Sequence, residues 1–115
     1  MKRDCIFCRI ASKELPAKIV YEDDRIVAFD DIRPQAPVHT LIIPRDHFAS
    51  LNEVPAGRMD LLQHILSKIP AIAAAKEVKA GGYRVVLNTG PDSGQDVFHL
   101  HFHLFGGRKM HWPPG

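Results

Sequence analysis

Residues 99–105 read HLHFHLF, so that His99, His101 and His103 alternate with Leu100, Phe102 and Leu104. On extended backbone, successive side chains point to opposite faces, which puts the three imidazoles on one face and the apolar residues on the other. A half-buried strand can carry one histidine on its polar face without any chemical purpose. Three in strict register call for another explanation. Histidines two apart in such a run have Cα atoms about 6.7 Å apart and could share a metal, whereas the outer pair, about 13 Å apart, could not. The three therefore divide their labour. A neutral imidazole works as nucleophile or proton carrier near neutral pH and a protonated one stabilises an anion, a mixture that suits attack at phosphorus. The loop 89–96 (TGPDSGQD) adjoins this run. Its Gly90, Gly94 and Gln95, with Asn88 just before it, offer backbone and amide N–H groups that could cradle phosphate oxygens. A glycine-containing turn alone is more often only a turn, but joined to the histidines it makes a plausible half of one site.

The second chemical feature is a cysteine pair, Cys5 and Cys8, the only cysteines of the chain. In a reducing compartment C-x₂-C spacing suggests a zinc knuckle or a redox pair rather than a structural disulfide. It is half a site, because a closed zinc centre wants four ligands and two cysteines can also simply pack a helix. His47, beyond the Pro44-Arg45-Asp46 turn, is an available third ligand.

The elements that must position these groups follow from periodicity. Residues 5–12 place Ile6 and Ile10 four apart beside Phe7, as in a short amphipathic helix. Residues 18–22 and 25–29 are two β-prone runs flanking Asp23-Asp24, a hairpin. Pro34 and Pro37 make 31–37 a loop, and 38–43 (VHTLII) is a third strand stopped at Pro44. From about Ala56 to Val78, apolar residues recur at helical spacing, with Pro70 predicting a kink or break. A fourth strand is expected at 83–88 and a fifth from about Val97 to Phe105. Strands in hairpin order with one long and one short helix predict an α+β fold on a five-stranded antiparallel sheet. The chain reads as one domain over 1–115, with 106–115 a proline-ended tail whose single indole, Trp112, should be packed somewhere.

Composition sets outer bounds. The 115 residues are 45% hydrophobic and 24% charged, with 15 Lys+Arg against 13 Asp+Glu. That excludes disorder, collagen-like sequence and a coiled coil. The basic residues are scattered rather than striped, which argues against a duplex nucleic-acid binder. No apolar run reaches the ~20 residues of a membrane helix, and the N-terminus lacks an apolar signal core, so a cytoplasmic protein is expected.

The HLHFHLF run resembles the signature of the histidine-triad family, His-φ-His-φ-His-φ-φ with φ apolar. The likeness extends to Cys5–Ile10, to DDIRPQAPVH at 30–39, to Asn88–Gly90, to Gly94-Gln95 and to the closing HWPPG at 111–115. That ending resembles the Hint branch of nucleotide-binding phosphoramidases more than the dinucleoside-polyphosphate hydrolases or the nucleotidyltransferases. The resemblance implies a homodimer whose two sheets join side by side, with a purine nucleotide site at each triad. It makes His101 the nucleophile at the α-phosphorus, gives His103 a phosphoryl oxygen to hold, and puts His39 in the same network, orienting the nucleophile. It assigns Asp31 to the ribose hydroxyls and Ile6, Phe7, Ile10, Phe29 and Ile32 to the base. Asn88, Gly94, Gln95 and the Val97 backbone would hold the phosphate and leaving group, and the tail with Trp112 would cross to the partner's site. Asp96 stands where many members have serine: protonated, it could donate to the leaving group; ionised, it would repel the phosphate. The family's zinc-bearing members also imply a structural zinc on Cys5, Cys8, His47 and His99, with no metal in the chemical step. His64 and His111 read as non-catalytic.

Overall fold

The alternation of buried and exposed residues along the strands divides the chain into two layers around one sheet. The computed structural model describes residues 2–115. In chain order the elements are α1 (Ile6–Ala11), β1 (Ile19–Glu22), β2 (Ile26–Asp30), β3 (Val38–Pro44), α2 (Met59–Ala75), β4 (Tyr83–Leu87) and β5 (Phe102–Gly106), with 3₁₀ turns at Leu51–Glu53, Ala56–Arg58 and Pro91–Ser93. The five strands form one sheet in the order β1-β2-β3-β5-β4. Every neighbouring pair is antiparallel. This is the α+β architecture expected, with one long and one short helix.

Period 2 sorts the side chains. Ile26, Ala28, Ile42, Leu100, Phe102 and Leu104 pack against Leu61, Leu62, Ile65, Ile69 and Ile72 of α2. Val27, Phe29, Leu41 and Ile43 face the other way and pack against Phe7, Ile10 and Ala11 of α1. The long helix thus seals one face, and the six-residue α1 covers only part of the other. What remains open on that second face is the site.

Local contacts hold α1 in place. The Cys5 Sγ caps its N-terminus by accepting the Cys8 N–H at 3.4 Å. At the other end the Arg45 guanidinium donates to the Ala11 carbonyl at 2.8 Å and to the Asp23 carbonyl at 2.8 Å, tying the helix to the β1–β2 turn. Asp23 anchors that turn in its own right, accepting from the Arg25 and Ile26 N–H groups, the Tyr21 hydroxyl and His64 Nε2. Burial alone would raise its carboxyl, but those four donors hold it well below the usual range. His64 therefore fastens α2 to the hairpin.

Two expectations change. The fifth strand starts at Phe102 rather than near Val97. Residues 97–101 stay off the ladder because the Leu100 N–H goes to the Phe48 carbonyl, at 2.7 Å, instead of to a neighbouring strand. Pro70 does not break α2, which runs through it. The carbonyl that loses its partner there belongs to Leu66, on the exposed side of the helix, where water can satisfy it. At the end of β5, Gly107 turns the chain at φ +90° with room for no side chain, since a Cβ there would lie 2.8 Å from Pro37. The segment beyond it has no helix or strand.

Candidate active site

A cleft of about 290 Å³ opens on the face that α1 leaves bare, lined on one side by Ile6, Phe7, Ile10 and Phe29 and on the other by Asp31, Asp96, Val97, His101 and His103. Its apolar wall comes from α1 and β2, and its polar end from the residues leading into β5. The alternation of the HLHFHLF run holds even where the ladder does not. Leu100, Phe102 and Leu104 face α2, while Phe7 of α1 meets the His99 ring at 6.0 Å and the His101 ring at 5.0 Å, edge-on in both cases.

Hydrogen bonds to groups of fixed polarity decide which nitrogen of each ring carries the proton. His101 Nδ1 lies 2.7 Å from the His99 carbonyl, which can only accept, so Nδ1 holds the hydrogen and Nε2 keeps its lone pair. His39 Nδ1 accepts the Gln35 N–H at 3.1 Å. Its Nε2 therefore carries the hydrogen and donates to His103 Nδ1 at 2.9 Å. His103 must then carry its own proton on Nε2, and that buried atom has no partner among the described residues. Burial, with the neighbouring His101 and His39, pushes the His103 pKa down to about 4. Burial lowers His39 too, against the pull of the Asp31 carboxylate 3.6 Å away. At neutral pH both are uncharged, and His103 presents an N–H rather than a cation. The His101 and His103 rings, 4.9 Å apart, place a free lone pair beside an unused donor. That is the pairing needed to attack a phosphorus while holding one of its oxygens.

His99, fully buried, turns away from the cleft. Its Nε2 donates to the Pro44 carbonyl at 2.8 Å, which leaves the Nδ1 lone pair facing Cys5 Sγ at 3.4 Å, Cys8 Sγ at 3.5 Å and His47 Nδ1 at 3.2 Å. His47 Nδ1 is also 3.4 Å from Cys8 Sγ. A tetrahedron with Zn–S near 2.3 Å and Zn–N near 2.05 Å has S···N edges of about 3.6 Å and N···N edges of about 3.4 Å, so the donor set is already spaced for zinc. All four donor atoms lie within 4.8 Å of one another. Both thiols are free.

The structure gathers nine of the expected nucleotide residues at the cleft: Ile6, Phe7, Ile10, Phe29, Asp31, Ile32, Asp96, Val97 and His103. Ile32 stands at its rim, 89% exposed. Four others lie elsewhere. Gln95 is an internal tie, its amide donating to the Ala49 and Val97 carbonyls and accepting the Gly90 N–H. Gly94 closes the 3₁₀ turn of the loop with φ +85°, and Asn88 follows β4, neither of them lining the cleft. Trp112, expected to be packed, is 82% exposed in the single chain. His39 belongs to the network as expected, but its bond goes to His103 and not to His101. Sequence reasoning did not find Leu15, Pro16, Ala17, Asp30 and Leu41, which also line the cleft. Leu41 was findable, because it pairs directly with His103 across β3 and β5.

The chain is similar to known proteins in sequence and in fold. The chain is 54% identical over 115 residues to an uncharacterized HIT-like protein of Synechococcus elongatus, covering all of both chains. It is 46% identical over 114 residues to a 14 kDa zinc-binding protein of Brassica juncea, covering 97% of this chain and 100% of that one. It is also 46% identical over 112 residues to adenylylsulfatase HINT1 of Arabidopsis thaliana, covering 96% and 76%. Among solved structures, a HIT family hydrolase from Legionella pneumophila superposes with a TM-score of 0.94 at 50% identity, over 97% of this chain and all of that one. The sequence profile of the HIT domain matches residues 12–110. That stretch holds the whole sheet, α2 and all three alternating histidines, and on that ground the chain belongs to the HIT domain, or histidine-triad, family.

Proposed function

We propose that the protein is a purine nucleoside phosphoramidase of the Hint branch, cleaving nucleoside 5′-phosphoramidates to the mononucleotide and an amine. The observation that carries this reading is the opposed protonation of two adjacent rings, with a free Nε2 lone pair on His101 and an unpartnered Nε2–H on His103. His101 Nε2 attacks the α-phosphorus, forming an N–P bond as the amine leaves with a proton from solvent at the open mouth. His103 Nε2–H donates to a phosphoryl oxygen as charge builds there. Water then attacks phosphorus and frees His101. The apolar wall of Ile6, Phe7, Ile10 and Phe29 suits a purine face, and the Asp31 carboxylate suits a vicinal diol.

The experiment is rapid mixing with an adenosine phosphoramidate. An initial burst of amine equal to the enzyme concentration, with a nucleotidyl adduct on the chain by intact mass at alkaline pH, is expected. Amine release without any adduct would overturn the covalent route. The name of the Arabidopsis relative supports a second reading on the same atoms, in which the bond broken at the α-phosphorus leads to a sulfate. Dinucleoside polyphosphates differ from these only in leaving group, and a panel of all three ranks them. A binding module with vestigial catalysis is disfavoured by the intact triad.

The Cys5, Cys8, His47 and His99 set would hold zinc, which supplies cross-linking of α1 to the loops and no part of the chemical step. The protein is a homodimer in this reading. Its protomer exposes 6,941 Å², more than the roughly 6,300 Å² usual for a monomer of this mass. Its β4 edge is uncovered, with Val85 exposed, and Trp112 is free to cross to a second copy. No helix among the described residues is long and apolar enough to cross a membrane. Two free thiols suit a cytoplasmic setting.

A further inference from the structure

The four metal-spaced donors and the cleft are separate sites built from the same short pieces of chain. Cys5 caps α1 and Cys8 lies within it, while Ile6, Phe7 and Ile10 of that helix form the apolar wall of the cleft. On the other side, His99 and His101 are two residues apart, and the His99 carbonyl is the group that fixes the His101 ring through Nδ1–H at 2.7 Å. Phe7 bridges the two, edge-on against His99, His101 and Phe29. Residues 97–101 have no strand partner of their own beyond the single Leu100 bond to Phe48. The His99 carbonyl and the Leu100 N–H belong to one planar peptide, so the Phe48 bond fixes one side of that unit. The His99 ring fixes the other side, through Pro44 at one nitrogen and the thiol and His47 cluster at the second.

We propose that the Cys5, Cys8, His47 and His99 centre is a positioning device for the nucleophile: filling it with zinc completes the anchoring of the peptide whose His99 carbonyl selects the His101 tautomer, and clamps α1 as the wall of the cleft. His99 is then a positioning residue, acting through its backbone on His101 while its ring binds metal. Metal and nucleotide, which touch no common atom, become energetically linked. Linkage is reciprocal, so whatever factor zinc adds to nucleotide affinity, nucleotide must add to zinc affinity. This inference rests on the reading of His101 as nucleophile for its catalytic meaning, but the linkage itself is measurable without turnover.

The test uses the whole chain and AMP as probe. Zinc is removed with a chelator at low temperature, folding of the apo chain is checked by circular dichroism, and AMP binding is measured by calorimetry with and without zinc. Removal is expected to weaken AMP about tenfold, the usual scale for losing a supporting contact, and competition with a chromophoric chelator should show AMP tightening zinc by the same factor. Imidazole ¹⁵N spectra should show His101 as one Nδ1–H tautomer in the zinc-loaded protein and as a mixture in the apo protein. A folded apo chain with unchanged AMP affinity and one His101 tautomer would overturn the proposal. If the apo wild type unfolds, Cys5→Ser weakens the metal set while keeping an oxygen cap for α1. Its AMP affinity and His101 spectrum must then follow zinc occupancy along a titration, and a flat response overturns the proposal equally. Failure of the zinc-loaded wild type to bind AMP would instead count against the nucleotide reading, leaving the tautomer comparison to decide this one.

Discussion

His99 and His101 are two residues apart, point to the same side of the chain and differ in almost nothing the sequence records. His99 gives its Nε2–H to the Pro44 carbonyl and offers Nδ1 to a thiol cluster. His101 gives its Nδ1–H to the His99 carbonyl and offers Nε2 to the cleft. One backbone acceptor at each ring, placed at opposite nitrogens, makes the first a metal-type ligand and the second a nucleophile-type base. The lesson is that the unreactive nitrogen decides the role, because it fixes the tautomer and the aim of the other.

The sharpest way to break that contrast is His101→Ala. Turnover is expected to fall by at least about 10⁴-fold. AMP affinity, measured by calorimetry, should stay within a few fold; a matching loss of both would remove His101 from the bond-forming role. His103→Asn removes the unused donor while leaving the lone pair of His101 in place. A drop of about 10² to 10³ in kcat is expected, close to the cost of one oxyanion donor. On the metal side, freshly purified protein should contain about one zinc per chain. A Cys5→Ser/Cys8→Ser chain should lose it and melt about 8 °C or more lower by calorimetry. Zinc-free wild type prepared under reducing conditions would sink that assignment.

A smaller effect comes from pH. Burial holds His103 at about 4 and keeps His39 below its ordinary 6.5. Between about pH 6.5 and 4 the unfolded chain therefore binds more protons than the folded one, and stability is retained above that window and lost as pH falls through it. Urea midpoints at pH 7 and pH 5 should differ more in the wild type than in His103→Asn, and equal differences would show that His103 contributes nothing. Smallest of all is deletion of 111–115. It should leave a folded dimer with altered relative rates among amine leaving groups and less change in AMP affinity. Constant relative rates across large and small amines would exclude the tail from the site.

The sheet, both helices and the one-face grouping of the histidines were legible because each rests on periodicity, and periodicity needs only extended or helical backbone. Where β5 begins was not. Residues 97–101 are extended in pattern, yet their partner is a loop carbonyl at Phe48 that no local rule points to. The metal set was partly legible: C-x₂-C announced itself and His47 stood as an available third ligand, while His99 needed the resemblance. Ring tautomers were wholly hidden, since they depend on how the chain folds back at Gln35 and at the His99 carbonyl and on Pro44 arriving from a distant part of the chain. Gln95 shows a detail that no local rule gives. Its type and place in a glycine-containing loop suited a phosphate cradle, and in the structure its side-chain N–H groups go to the Ala49 and Val97 carbonyls.

The Nε2–H of His103 meets no protein acceptor among the described residues, so whatever fills the cleft beside it must supply one. A buried donor that is left without an acceptor destabilises a fold by about 1–3 kcal/mol, so the site trades heat resistance for readiness to hold an anion. With His103→Leu the orphan disappears, and Asp31, 3.6 Å from His39 Nε2, can take the hydrogen bond His103 gave up. Such a chain should melt above the wild type in the absence of nucleotide and be catalytically crippled. Directed evolution for thermal endurance alone would therefore be drawn toward erasing the triad, unless ligand turnover were selected at the same time.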